Sequence, residues 1–154
     1  MENKTKPNAF VWLLIVLQFF LGIGAFFSGL LMMLFPNGNA MQMPLSLIES
    51  SPFHNFFIPG LLLCLFVGVY PLGVAYSLWK RPGWTWPEGI NPFKKYHWSW
   101  AGSLAAAVIV IIWLSVELIW VPYSILHAIY YVWAGVILLL TLLPSVRKYL
   151  GRHA

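Results

Sequence analysis

The 154-residue chain is poor in charge. Asp, Glu, Lys and Arg make up 8% of it, and Asp does not occur at all. Soluble domains carry roughly a quarter charged residues, and a small globule in water could not hide a composition that is 60% hydrophobic. Cysteine occurs once, as Cys64, which excludes an internal disulfide and the membrane thiol oxidoreductases that work through cysteine pairs. There is no phosphate loop, no dinucleotide fingerprint and no G-x-S-x-G elbow, so nothing points to nucleotide-driven or hydrolase chemistry, and no cofactor is expected. The basic residues behind the net charge of +5 sit in short flanks of apolar segments. That pattern fits anionic lipid headgroups and not nucleic acid.

What the chain has instead is long apolar runs, with a mean hydropathy of +0.78. A bilayer crossing needs about 20 apolar residues in a helix. The runs are continuous and do not alternate, which favours helices over a barrel. The reading is an all-α membrane four-helix bundle in a single domain over 1–154, with helices at about 9–35, 52–79, 100–120 and 123–143. The first run is too long for a signal peptide and has no cleavage site, so it is expected to be retained. In it Gln18, Gly22, Ala25 and Gly29 share one face. Pro36-Asn37-Gly38-Asn39 ends it. Ser51-Pro52 reads as the start of the second helix, which Pro59 and Pro71 should bend and which carries the small residues Gly60, Cys64 and Gly68. Small residues at such spacing let helices approach closely. They would serve as seams against a neighbouring helix, a second copy or a larger membrane complex.

All nine Lys and Arg fall in the N-terminal tail, the loop after the second helix and the C-terminal tail. Four crossings put these three on one side. The first loop and the turn at Pro122, with no basic residue, lie on the other. The positive-inside rule then expects both termini in the cytoplasm. The basic loop also carries Trp84, Trp86, Phe93, Tyr96, His97, Trp98 and Trp100, the composition of a headgroup-level anchor.

The apolar stretch from Trp100 to Leu143 is broken by Pro122 into a hairpin. Its only ionisable interruptions by charge type are Glu117 and His127, each five positions from Pro122, so they should meet at one depth. A carboxylate in the hydrocarbon region costs roughly 2.5–3.5 kcal/mol on insertion scales, so it should face the bundle. An imidazolium beside it would relieve the cost of both, and the pair could carry a proton. The expected site is an outward-opening polar pocket walled by Trp113 and Tyr131 and roofed by the first loop, with Glu49 and His54 at its mouth. A structural Glu–His bridge pinning the hairpin explains the same residues. Met32, Met33, Met41 and Met43 lie on this side, and thioethers with imidazole suit Cu(I). The Glu and His residues suit zinc by type, but no local metal spacing such as H-E-x-x-H supports either metal.

Pro52-Phe53-His54-Asn55-Phe56-Phe57-Ile58-Pro59-Gly60, following the Pro36-Asn37-Gly38 turn, resembles the Pro-Phe…Pro-Gly entry to the second helix of small bacterial four-helix membrane proteins of uncharacterised function. The resemblance implies the four-crossing topology and a bacterial inner or plasma membrane, and it implies no activity. Small multidrug transporters match in size and helix number, but they use a carboxylate in the first helix, where this chain has Gln18. Three classes follow. One is a non-enzymatic membrane protein that packs against itself or a larger complex. The others are a small transporter or channel subunit using Glu117 and His127, and a membrane-embedded enzyme on a lipid-like substrate using the same pair.

Overall fold

The computed structural model describes residues 6–152; Glu2, Lys4 and His153 lie outside them. The chain runs through α1 (Ala9–Leu34), α2 (Phe57–Lys80), α3 (Thr85–Ile90), α4 (Trp98–Glu117), α5 (Ile125–Leu142) and α6 (Pro144–Leu150). Helices α1, α2, α4 and α5 are long and apolar enough to cross a membrane. Helix α1 packs on α2, α2 on α4, α4 on α5, and α5 back on α1, closing a four-helix ring. Among the described residues there is no strand, only an isolated bridge between Tyr96 and Gly151.

Helix α1 starts at Asn8, whose side chain accepts the Val11 N–H at 3.0 Å, and it stops before Pro36, whose ring disfavours helical geometry in the residue preceding it. Its small-residue face meets that of α2. A Cβ on Gly29 would lie 2.5 Å from the Gly60 carbonyl oxygen, one on Gly60 would lie 2.6 Å from Met32 Cβ, and one on Gly68 would lie 2.9 Å from Phe26 Cα. Backbone touches backbone along this seam, so both stripes are consumed within the chain.

Helix α2 begins at Phe57, later than the Ser51-Pro52 signal implies. The Ser51 hydroxyl is turned into the loop, where it donates to the Ile48 carbonyl at 2.7 Å and accepts the Phe53 N–H at 3.2 Å. Asn55 supplies the first contact to the helix by accepting the Phe57 N–H at 3.0 Å. Pro59 stands in the first turn, where its missing N–H leaves no bond unmade. Pro71 is deeper and cannot return a hydrogen bond to Val67. The helix meets it with a π-helical stretch, Leu63–Val69.

The α4–α5 hairpin turns over residues 118–124, so both helices end short of Pro122. The turn is closed by the Val121 N–H donating to the Glu117 carbonyl at 2.8 Å. In the bundle centre Gln18 donates to Ser103 Oγ at 3.0 Å, and Ser103 Oγ lies 2.8 Å from Thr141 Oγ1, which donates to the Ile137 carbonyl at 2.7 Å. These three fully buried side chains tie α1, α4 and α5 together in a region where water cannot satisfy polar groups.

One end of the bundle carries every described Lys and Arg. There the loop before α4 and the segment after α6 are bound together: His97 N–H donates to the Leu150 carbonyl at 2.8 Å, and Arg152 N–H to the Lys95 carbonyl at 3.0 Å. The aromatic loop is therefore divided. Trp86 is exposed, whereas Trp100 is 4% exposed and donates from Nε1 to the Thr141 carbonyl at 2.9 Å, as a core residue and not an interfacial anchor.

Candidate functional site

At the opposite end a cavity of about 140 Å³ lies between the tip of α1, the first loop, the start of α2 and the end of α4. Its roof is built by local turn chemistry. Gly38 takes a left-handed conformation (φ +78°) that a side chain would resist, and its carbonyl accepts the Met43 N–H at 3.0 Å. The Phe56 N–H donates to the Pro36 carbonyl at 2.9 Å, drawing the two ends of the loop together. Ile48 and Phe56 are thereby buried against Met32, while Phe53 and Met43 pack beside them.

Trp113 and Glu117, one helical turn apart on α4, share the face that lines the cavity. Trp120 and Val121 continue this wall, and the Phe53 and Trp120 rings meet edge to face at 6.4 Å. The Glu117 side chain is 34% exposed and is the one ionisable group in the lining. Ser51 also lines the cavity, but its hydroxyl is committed to the loop bonds given above.

His127 stands behind Glu117, outside the lining. Its Nε2 lies 3.9 Å from Glu117 Oε2, near enough to interact and too far to hydrogen-bond, and the side chain is 6% exposed. The other ring nitrogen has a structural task. Nδ1 accepts the backbone N–H of Ser124 at 3.1 Å and lies 3.0 Å from Ser124 Oγ, while the His127 N–H donates to the Ser124 carbonyl at 3.1 Å. This is a capping box with His in the place usually taken by Glu or Gln. Nδ1 is the acceptor in this box, and Nε2 is buried with no hydrogen-bond partner.

The other residues expected at the site are elsewhere. Tyr131 faces away from the cavity, with its hydroxyl 2.9 Å from Ser115 Oγ. Glu49 and His54 are exposed on the loop and do not line the cavity, because the loop folds with Ile48 and Phe56 inward. Among the described residues no three His, Cys, Asp or Glu side chains converge as a metal site would require. Met32 and Met43 line the cavity without an imidazole.

Sequence reasoning passed over the polar cluster at the basic end. Glu88 binds Arg152 Nη2 through Oε2 at 2.7 Å, accepts Asn91 Nδ2 at Oε1 at 2.9 Å, and receives the Trp98 N–H at the start of α4 at 3.3 Å. Asn91 is buried and also donates to the Tyr96 carbonyl at 3.0 Å. His97 is fixed between the Pro82 carbonyl, 3.0 Å from Nε2, and the Ser99 N–H, which donates to Nδ1 at 3.3 Å. Burial lowers its pKa from the ordinary value, against a weaker opposing contribution from the Pro82 bond. The available signal was that Glu88 is the one acid in a loop otherwise rich in Lys and Arg.

Chemically the cavity offers one carboxylate at the end of an apolar, aromatic space. Of the two residues expected to act as acid and base, only Glu117 lines the cavity. Compared with known proteins, the sequence matches no family model, no curated protein and no solved structure.

Proposed function

We propose that this multi-pass protein, set in a bacterial inner or plasma membrane with both termini cytoplasmic, is non-catalytic and receives the polar end of a lipid-like molecule in its outer cavity. The supporting observation is the cavity itself: Glu117 is the sole ionisable group among side chains such as Met32, Phe53, Phe56 and Trp113. Ligand sites typically combine an apolar lining with a few placed polar groups. The basic residues at one end and the basic-free turns at the other support the orientation.

Two alternatives have less support. A transport path through the bundle would have to pass the buried Gln18–Ser103–Thr141 chain and the packed side chains of Leu21, Val110 and Ile137. Docking onto a second copy or a larger complex through the small-residue stripes would compete with the α1–α2 seam that already fills them. Any such partner would use the lipid-facing sides of the helices instead.

Native mass spectrometry of the full chain released from a mild non-ionic detergent tests the reading. A retained lipid-like adduct is expected, and Val121→Phe, which adds bulk to the cavity wall, should remove it. An adduct equally abundant in Val121→Phe would refute the assignment to this cavity.

A further inference from the structure

We infer that the molecule received by this cavity is a cationic amphiphile, with an ammonium group seated against Glu117 and an apolar tail along the aromatic wall. The inference rests on the cavity being a binding site, as proposed above.

Among the described residues no side chain hydrogen-bonds the Glu117 carboxyl group, and His127 is its nearest basic neighbour. The Glu117 carboxylate is partly withdrawn from solvent, at 34% exposed, and His127 Nε2 is its neighbour at 3.9 Å. The ring holding that nitrogen is anchored by its cap, with Nδ1 accepting the Ser124 N–H, and Nε2 makes no hydrogen bond to the carboxylate. No Lys or Arg occurs in the loop over 36–56 or the turn over 118–124. All described Lys and Arg side chains belong to the far end of the bundle. In a low-dielectric setting a carboxylate is stabilised by a charged donor in contact with it, and the chain supplies none here.

The walls select further. Trp113, Trp120, Phe53 and Phe56 line the space beside the carboxylate. Aromatic faces attract ammonium groups, including quaternary ones that cannot donate a hydrogen bond, and they accept an alkyl tail equally well. An anionic headgroup would be repelled by Glu117, and a neutral one would leave the carboxylate uncompensated. The roof of Ile48, Phe53 and Phe56 leaves little for a large hydrophilic headgroup to bond.

The test uses the purified full chain in nanodiscs of zwitterionic lipid. Dodecyltrimethylammonium, dodecanol and dodecyl sulfate have equal chains and different headgroup charge, and each is titrated below its micellar concentration with saturable thermal stabilisation as the readout. The cationic probe should bind about tenfold more tightly than the alcohol, or about 1.4 kcal/mol. The sulfate should show no saturable effect. The preference should vanish in Glu117→Gln and persist in Glu49→Gln, which removes an exposed acid outside the cavity. If the alcohol binds as tightly as the cation and Val121→Phe excludes both, the charge inference fails while the cavity reading stands. If no probe saturates, or Val121→Phe leaves every titration unchanged, both fail. The ranking of the three probes on the unsubstituted chain decides the matter even where Glu117→Gln does not fold.

Discussion

Replacing Gly29 with Ala adds one methyl group at the narrowest point of the α1–α2 seam. That methyl would lie 2.5 Å from the Gly60 carbonyl oxygen, 2.7 Å from Cys64 N and 2.8 Å from Cys64 Cβ. The nearest two are backbone atoms, so no flexible side chain can swing aside. Restoring ordinary contact near 3.4 Å requires the helices to part locally by about 0.9 Å. Overpacking of this kind costs about 1–3 kcal/mol, and parting the helices also loosens the contacts of Met32 and Phe26 across the seam. Gly24 is the internal control. It lies on the same helix, and a Cβ there meets nothing within 4 Å. Ala at Gly24 should therefore stabilise by up to about 1 kcal/mol through helix propensity alone. Equilibrium unfolding in mixed micelles of dodecyl maltoside and SDS, followed by far-UV circular dichroism, would measure both variants. Opposite signs are expected for one chemical change on one helix. Equal midpoints for Gly29→Ala and Gly24→Ala would refute close backbone contact as the basis of the seam.

Three further outcomes follow from the site and the basic end. His127→Gln should match the parent in stability because Gln can complete the capping box, whereas His127→Ala should lose about 1 kcal/mol; equal loss in both, measured by the same unfolding assay, would remove the cap from the account. Glu88→Gln should raise amide hydrogen exchange at Arg152 while lowering global stability by about 1 kcal/mol or less, since the Arg152 side chain is 46% exposed and its ion pair is screened. His97 has a folded-state pKa below its unfolded value near 6.5, so its contribution to stability is present above that pH and is lost as pH falls from there through the lower folded-state value. The unfolding midpoint should fall between pH 7.5 and pH 5.5, and His97→Gln should flatten this dependence; an unchanged slope in the variant would assign it to another group.

The four crossings were readable because hydrophobic length is a one-dimensional property. The small-residue stripes were readable because helical spacing sets a face before any partner is known. Helix starts were less so. Ser51-Pro52 has the form of a cap, but the Ser51 hydroxyl found the Ile48 carbonyl first, and the helix began at Phe57. That competition is decided by how the whole loop packs. Pairing Glu117 with His127 followed from their symmetric offset about Pro122, but the division of labour within the pair did not. Nδ1 serves Ser124 because the turn is long enough to place that residue at the cap. The Glu88–Arg152 contact joins residues 64 positions apart in segments without periodicity, where no local pattern records the pairing.

The wide turn ahead of Pro71 has a consequence for the chain beyond it. Each i→i+5 bond in Leu63–Val69 takes up more chain per turn than an α-helix does, so the second half of α2 leaves the stretch rotated about its own axis. Gly60 ahead of it and Cys64 and Gly68 within it lie against α1, while beyond it Val74 lies against Gly102 of α4 and Leu72 against Gly22 of α1. The segment thus sets the phase at which the later half of α2 meets both α1 and α4. Rewinding it as a regular α-helix with the same residues would swing every later side chain by roughly 100°, turning Val74 and Leu78 away from their present neighbours, whereas deleting one residue would remove the extra chain and leave them nearly in place.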